Sequence, residues 1–223
     1  MLIFLFIGSI IVCTYIYKIY NCFDHDKDID FQEIPNFLSK DECNELITYF
    51  EQHKENHSQS TVDNGFLKDT GYLSLKKRQS IQCWLSTQKY SFVKIIQRRL
   101  QPYIKLPILD YLHESLQLVK YTPGGFFIPH YDEKKSLFFH RYYRYSTLLI
   151  YLNDDYQGGE TVFPRLNKTI IPQQGKAIYF KNINESNKHL LWYSLHGGNK
   201  VTNGNKYIAN VWTQLRFPNR QIS

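Results

Sequence analysis

The run Lys206-Tyr-Ile-Ala-Asn-Val-Trp, near the C-terminal end of this 223-residue chain, constrains its fold more than any other segment. Successive side chains of an extended chain point to opposite sides, so the run predicts a strand with Lys206, Ile208, Asn210, Trp212 and Gln214 on one face. A lysine sharing a face with a tryptophan is not the pattern of a solvated strand. Other strand-length runs point to the same mostly β architecture. Gln117 to Tyr121 leads into the turn Pro123-Gly124-Gly125, Thr147 to Asp154 is apolar enough for a barrel core, and Gly158-Gly159 is a tight turn feeding Thr161-Val162-Phe163.

Onto these strands the sequence places a set of metal-ligating residues. His130 and Asp132 form an H-x-D pair, and residues two apart on a strand face the same side and reach one ion together. His196, just before Gly197-Gly198, supplies a third ligand from a distant strand. Two imidazoles and one carboxylate leave about three octahedral positions open, the arrangement of non-haem Fe(II) oxygenases. Lys206, ten residues after His196, reads as the partner of an acidic co-substrate. His113, His140 and His189 fall outside the pattern and read as ordinary core or surface histidines.

With these residues in place, the segment from about 78 to 216 resembles the catalytic domain of the prolyl 4-hydroxylases, members of the Fe(II)/2-oxoglutarate dioxygenases. Tyr121, nine residues before His130, and the His196 to Lys206 spacing carry the resemblance. It implies a mainly β fold with flanking helices (α+β) around a double-stranded β-helix, or jelly-roll, core. It implies His130, Asp132 and His196 as the iron ligands, and Lys206 paired with the distal carboxylate of 2-oxoglutarate, with Tyr121, Thr161 and Trp212 in the same co-substrate set. The implied reaction converts peptidyl proline to 4-hydroxyproline with O2 and 2-oxoglutarate, releasing succinate and CO2, and L-ascorbate restores over-oxidised iron. Lysine rather than arginine at 206 is similar to the collagen-type and plant- or alga-type members, so collagen-like or proline-rich chains are the implied substrates.

For the peptide, the resemblance points to Arg78, Ser80 and Trp84 in an R-x-S element on a mobile loop over the site, and to Glu114 and Arg144. Gln214 departs from the pattern, standing where relatives often have histidine. Glu133 to Tyr145, aromatic and basic, reads as a loop suited to gripping an extended proline-rich chain. Three other functions share these features: a lysyl or other peptidyl hydroxylase, a nucleic-acid demethylase of the same superfamily, and a barrel that binds peptide without turnover. The net charge of +7 is scattered, with small clusters at Lys76-Lys77-Arg78, Arg98-Arg99 and Lys134-Lys135, so it reads as solvated surface and no nucleic-acid partner is expected.

The N-terminal residues 1–22 are strongly apolar, uncharged up to Lys18, and lack a small-x-small cleavage site, which favours a membrane anchor over a signal segment. That reading expects a single-pass protein with its catalytic domain in the lumen of the endoplasmic reticulum or secretory pathway; secretion after signal cleavage is the alternative. Residues 23–36 read as a linker and 37–223 as the dioxygenase domain, with a catalytic core of about 115–216. Ser39 followed by Glu42 predicts a capped helix with Cys43, Leu46, Ile47 and Phe50 inward, and a second helix is expected over Ser91 to Leu100 with Phe92, Ile95, Ile96 and Leu100 on one side. The four cysteines contain no C-x-x-C and read as buried thiols.

Overall fold

A computed structural model describes residues 23–24, 29–60, 62–63, 68–69, 77–132 and 142–216. Eleven strands and two helices matter for the site. They are β1 (Phe31–Ile34), α1 (Lys40–Gln52), β2 (Arg78–Gln79), β3 (Ile81–Leu85), α2 (Ser91–Leu100), β4 (Leu116–Tyr121) and β5 (Phe126–His130). They continue with β6 (Tyr142–Tyr151), β7 (Thr161–Phe163), β8 (Lys168–Ile170), β9 (Ala177–Lys181), β10 (His196–Gly198) and β11 (Lys206–Arg216). A large sheet runs β1-β9-β6-β11-β4-β3 with Ser58–Gln59 on its edge, and a five-stranded sheet runs β8-β7-β10-β5-β2; all of these pairings are antiparallel. Two facing antiparallel sheets with helices on one outer side form the jelly-roll that the sequence implied.

The large sheet is covered on both faces, which explains why its strands read as nearly continuous apolar runs. Leu118, Leu148, Ile150, Tyr179, Ala209 and Val211 pack outward into the layer that holds α1 and α2. Their neighbours Val119, Tyr121, Leu149, Tyr151, Ile178, Phe180 and Ile208 point inward, toward Phe163 and Ile170 of the small sheet. The period-two alternation therefore places Lys206, Asn210 and Trp212, in phase with Ile208, on the inner face.

The helices form where expected. Ser39 and Glu42 make a reciprocal capping box, and α1 buries Cys43, Leu46 and Phe50. Helix α2 spans the predicted residues but is turned, burying Val93, Ile96 and Leu100 while Ile95 is 40% exposed. The helix leans on the sheet through the i, i+3, i+7 line rather than the line through Phe92.

Three expectations change. Part of the presumed linker, Phe31–Ile34, is a strand that pairs with β9 at the edge of the large sheet. Tyr142 to Tyr145 belong to β6, so of the expected Glu133 to Tyr145 loop only 133–141 is left, and those residues lie outside the described set. The single-pass membrane anchor with a lumenal domain is not supported: among the described residues no helix is long and apolar enough to cross a membrane, and residues 1–22 lie outside that set. Cys43 and Cys83 are buried free thiols, and burial pushes them up to about 11 and about 12.

Candidate metal centre and its cavity

Strand register brings the two histidines together, because His130 at the end of β5 lies directly opposite His196 at the start of β10. Gly197 permits this approach, since a Cβ there would sit 3.0 Å from the Phe127 carbonyl oxygen and the Pro129 nitrogen. Each ring is fixed in the same way. His130 Nδ1 lies 2.9 Å from the Ile128 carbonyl, and His196 Nδ1 lies 2.9 Å from the Ser194 carbonyl. A carbonyl only accepts, so both Nδ1 atoms carry the proton and both Nε2 atoms present a lone pair. Phe127 stacks on His130 with centroids 3.5 Å apart, and Phe163 and Phe180 enclose His196.

Asp132 does not lie on the strand with His130, as the H-x-D spacing implied; β5 ends at His130 and Asp132 follows it. It is turned inward by hydrogen bonds instead. Thr147 Oγ1 on β6 and Trp212 Nε1 on β11 both donate to Asp132 Oδ2, at 2.7 and 2.9 Å. His130 Nε2 is 3.5 Å from Asp132 Oδ1, and His196 Nε2 is 3.7 Å from Oδ2. One ligand atom from each of the three residues lies within 4.8 Å of the others. Burial opposes ionisation of Asp132, but His196, His130 with its hydrogen bond, and the Arg144 guanidinium outweigh it and hold the carboxyl well below its usual range. Burial pushes His196 down to about 4, with His130 adding to the effect. A carboxylate and two imidazoles with Nε2 turned toward one point form a donor set that fits a divalent cation.

Beyond this cluster the cavity, about 580 Å³, continues to Lys206. Lys206 pairs with Tyr121 across β11 and β4, and its ammonium lies 5.5 Å from the Tyr121 ring centroid. Lys206 Nζ donates to the carbonyl of Gly159, 2.6 Å away, and makes no ion pair among the described residues. Gly159 turns that carbonyl inward with φ +67, a conformation that favours glycine. Burial pushes the lysine down to about 7, with Glu160 opposing the shift. Thr161 Oγ1 is buried with no hydrogen-bond partner. A buried cation and an orphaned hydroxyl at the inner end of a cavity fit a carboxylate.

Of the expected peptide contacts, Arg78, Trp84, Glu114 and Arg144 line the cavity, whereas Ser80 and Gln214 do not and reach it only through Arg78 and Glu114. Arg78 is not on a loop: β2 pairs with β5, and Arg78 Nε donates to Ser80 Oγ at 2.9 Å while its guanidinium lies 4.7 Å above the Phe127 ring. Arg144 grips Glu114 with two hydrogen bonds of 2.8 and 2.9 Å and lies 3.8 Å over the Trp212 ring. Gln214 donates to the same Glu114 carboxylate. Trp84 lies 5.8 Å from Trp212 and is 43% exposed.

Sequence reasoning assigned no role to four residues that the fold brings here. Gln82, Gln117 and Asn210 form a chain of buried side-chain amides along the cavity wall, Asn210 donating to Gln117 and Gln117 to Gln82. The chain ends in one amide with a spare donor and one with a spare acceptor. Asn182 donates to Thr147 behind the metal cluster. The alternation of β11 flagged Asn210; nothing local marked Asn182.

A family model described as the 2OG-Fe(II) oxygenase superfamily matches residues 116–214. A candidate prolyl 4-hydroxylase of Acanthamoeba polyphaga mimivirus is 31% identical over 191 residues, covering 81% of this chain and 72% of that one. Prolyl 4-hydroxylase 5 of Arabidopsis thaliana is 30% identical over 198 residues, covering 79% and 65% respectively. Among solved structures, the viral collagen prolyl hydroxylase of Paramecium bursaria Chlorella virus-1, in complex with 2-oxoglutarate, superposes with a TM-score of 0.67 at 27% identity. That superposition covers 83% of this chain and 96% of the viral one.

Proposed function

The chain belongs to the prolyl 4-hydroxylase family of Fe(II)/2-oxoglutarate oxygenases, and we propose how its own residues carry the hydroxylation of peptidyl proline. One observation supports the assignment most strongly: a locked two-histidine, one-carboxylate cluster shares a cavity with a buried lysine that has no acidic partner among the described residues.

His130, Asp132 and His196 would hold Fe(II), with the two Nδ1 hydrogen bonds keeping both Nε2 lone pairs on the metal side. When bound, the iron supplies the redox chemistry that couples decarboxylation of 2-oxoglutarate to oxidation at proline C4. Lys206 binds the far carboxylate of 2-oxoglutarate, the Thr161 and Tyr121 hydroxyls assist it, and Trp212 completes the co-substrate wall while orienting Asp132. Phe127, Leu149 and Ile208 supply the apolar lining that excludes water from the reacting centre.

The peptide lies against Arg78, Trp84, Glu114 and Arg144 of the cavity lining, with Ser80 and Gln214 holding Arg78 and Glu114 from behind and the Gln82-Gln117-Asn210 chain offering its spare donor and acceptor to the peptide backbone. Collagen-like or proline-rich chains are the preferred substrates, a reading supported by the viral collagen prolyl hydroxylase and by lysine at position 206. L-ascorbate serves as the reductant that restores over-oxidised iron. The catalytic domain, bounded at 37–223 from sequence, takes in the edge strand Phe31–Ile34 as well.

The test is 2-oxoglutarate turnover by the full chain with Fe(II), ascorbate and a collagen-like or proline-rich peptide, with mass spectrometry of the product. The expected result is succinate together with proline that has gained one oxygen atom, both abolished in His130→Ala. Oxidised lysine in place of proline would move the chain to the lysyl hydroxylases. Peptide binding with no succinate from iron-loaded protein would show a non-catalytic barrel.

A further inference from the structure

Asn182 follows directly after β9, is fully buried, and touches neither the cavity nor any ligand atom of the metal cluster. Its backbone is fixed on both sides, with its N–H donating to the Tyr145 carbonyl at 2.7 Å and its C=O accepting from the Leu191 N–H at 2.9 Å. Its side-chain Nδ2 lies 2.8 Å from Thr147 Oγ1, which in turn lies 2.7 Å from Asp132 Oδ2. A hydroxyl has one proton to donate. A carboxylate that ligates a cation only accepts, so the Thr147 proton must lie toward Asp132. Asn182 must then face Thr147 with its NH2 group, because the reversed amide would set a carbonyl oxygen against a hydroxyl lone pair. The chemistry of the chain fixes the amide orientation. It also leaves Asn182 Oδ1 buried without a partner, a state that buried polar groups avoid.

We propose that Asn182 is a positioning residue for the metal centre. It fills the acceptor side of the Thr147 hydroxyl and so commits that hydroxyl to Asp132 Oδ2. With Trp212 Nε1 on the same oxygen, Oδ2 is saturated and Oδ1 is left for the metal. The carboxylate would then offer a metal one oxygen rather than two. The inference rests on the reading of His130, Asp132 and His196 as metal ligands, and it adds a residue that acts on them through Thr147.

The experiment is titration of the full metal-free chain with Mn(II), following the paramagnetic resonance signal of the free ion, in four proteins: wild type, Thr147→Val, Asn182→Leu and the double variant. Each single variant is expected to bind Mn(II) roughly 10- to 100-fold more weakly, the usual cost of losing an outer partner of a metal ligand. The double variant is expected to bind no more weakly than Thr147→Val, because Asn182 acts only through that hydroxyl. Wild-type affinity in Asn182→Leu, or losses that add in the double variant, would overturn the proposal. Asn182→Asp gives a second reading that keeps side-chain size. A carboxylate at 182 accepts the Thr147 proton and draws it from Asp132, so this variant should match Thr147→Val, and wild-type affinity in it counts against the idea equally. No Mn(II) binding by the wild type would sink the metal-centre reading itself. Melting of the metal-free proteins separates both outcomes from loss of fold.

Discussion

The metal cluster and the mouth of the cavity, where we propose that the peptide lies, share one cavity but are held by different means. At the cluster, the histidines are placed by the β5-β10 register and their Nδ1 hydrogen bonds, and Asp132 is drawn in by donors from β6 and β11. Each donor there has one competent acceptor, so the arrangement is over-determined before any ligand arrives. At the mouth, the charges satisfy one another. Glu114, Arg144 and Gln214 are hydrogen-bonded together, with Arg144 over the Trp212 ring, and Trp84 stands at the rim with much of its surface in water. A site built to hold an ion is rigid in its donors, whereas a site built to accept a chain keeps its polar groups occupied until the chain displaces or joins them.

The largest effect should come from removing one ligand charge while keeping its shape. Asp132→Asn leaves two imidazoles facing an amide, and should lower Mn(II) affinity by more than about 100-fold and reduce succinate formation to background. Lys206→Ala comes next. Loss of a charged hydrogen bond, about 1.5–3 kcal/mol, should raise the KM for 2-oxoglutarate roughly 10- to 100-fold while the KM for peptide and the Mn(II) affinity stay at wild-type values. A matching loss of peptide affinity would show that the inner end and the mouth are not separable.

The buried lysine also sets a pH dependence. Its value in the ligand-free fold is about 7, against an ordinary value of 10.5. Between those values the unfolded chain holds a proton that the folded chain lacks, so this group makes the ligand-free protein more stable as pH rises from 7 toward 10.5. Binding of 2-oxoglutarate at Lys206, as proposed, has the opposite sign, because a carboxylate paired there requires the charged amine. The affinity for 2-oxoglutarate should be flat below pH 7 and fall by up to tenfold per unit above it, with one proton taken up on binding. Calorimetry in buffers of different ionisation enthalpy measures that proton. Affinity that does not change between pH 7 and 9 would show that Lys206 stays charged in the empty cavity.

The inner end was the more legible part in sequence, for a physical reason. Lys206, Asn210 and Trp212 are related by a period of two on one strand, and a period survives in a linear string of residues. The pairing of His130 with His196 was legible only as a candidate, since register between distant strands leaves no local mark. Asn182 left none at all, because its work depends on a hydroxyl 35 positions away. Helix α1 was legible through its Ser39-Glu42 cap, and α2 through its apolar spacing in extent but not in rotation: Ile95 and Val93 are both apolar, and the packing they meet decides which is buried. The R-x-S segment was placed on a loop because β2 is two residues long and owes its form to its partner β5.

The mouth should give smaller and more selective effects. Arg144→Ala removes both guanidinium hydrogen bonds from the Glu114 carboxylate and uncovers Trp212, so the KM for peptide should rise roughly tenfold with little change in the KM for 2-oxoglutarate. A loss of Mn(II) affinity in that variant would mean that the Arg144-Trp212 stack helps to aim the indole at Asp132, joining the two regions through one ring. Trp84→Ala should do least. The side chain is 43% exposed and packs on Trp212 from the solvent side, so its removal should change stability by about 0.5 kcal/mol or less. Its effect belongs to the substrate: a proline ring lying on an indole loses that contact, and the peptide KM should rise by about threefold. A peptide in which the target proline is kept and its flanking prolines become alanine should show a smaller difference between wild type and Trp84→Ala. An unchanged difference would place Trp84 against the reacting proline itself, and bring the mouth one residue closer to the metal.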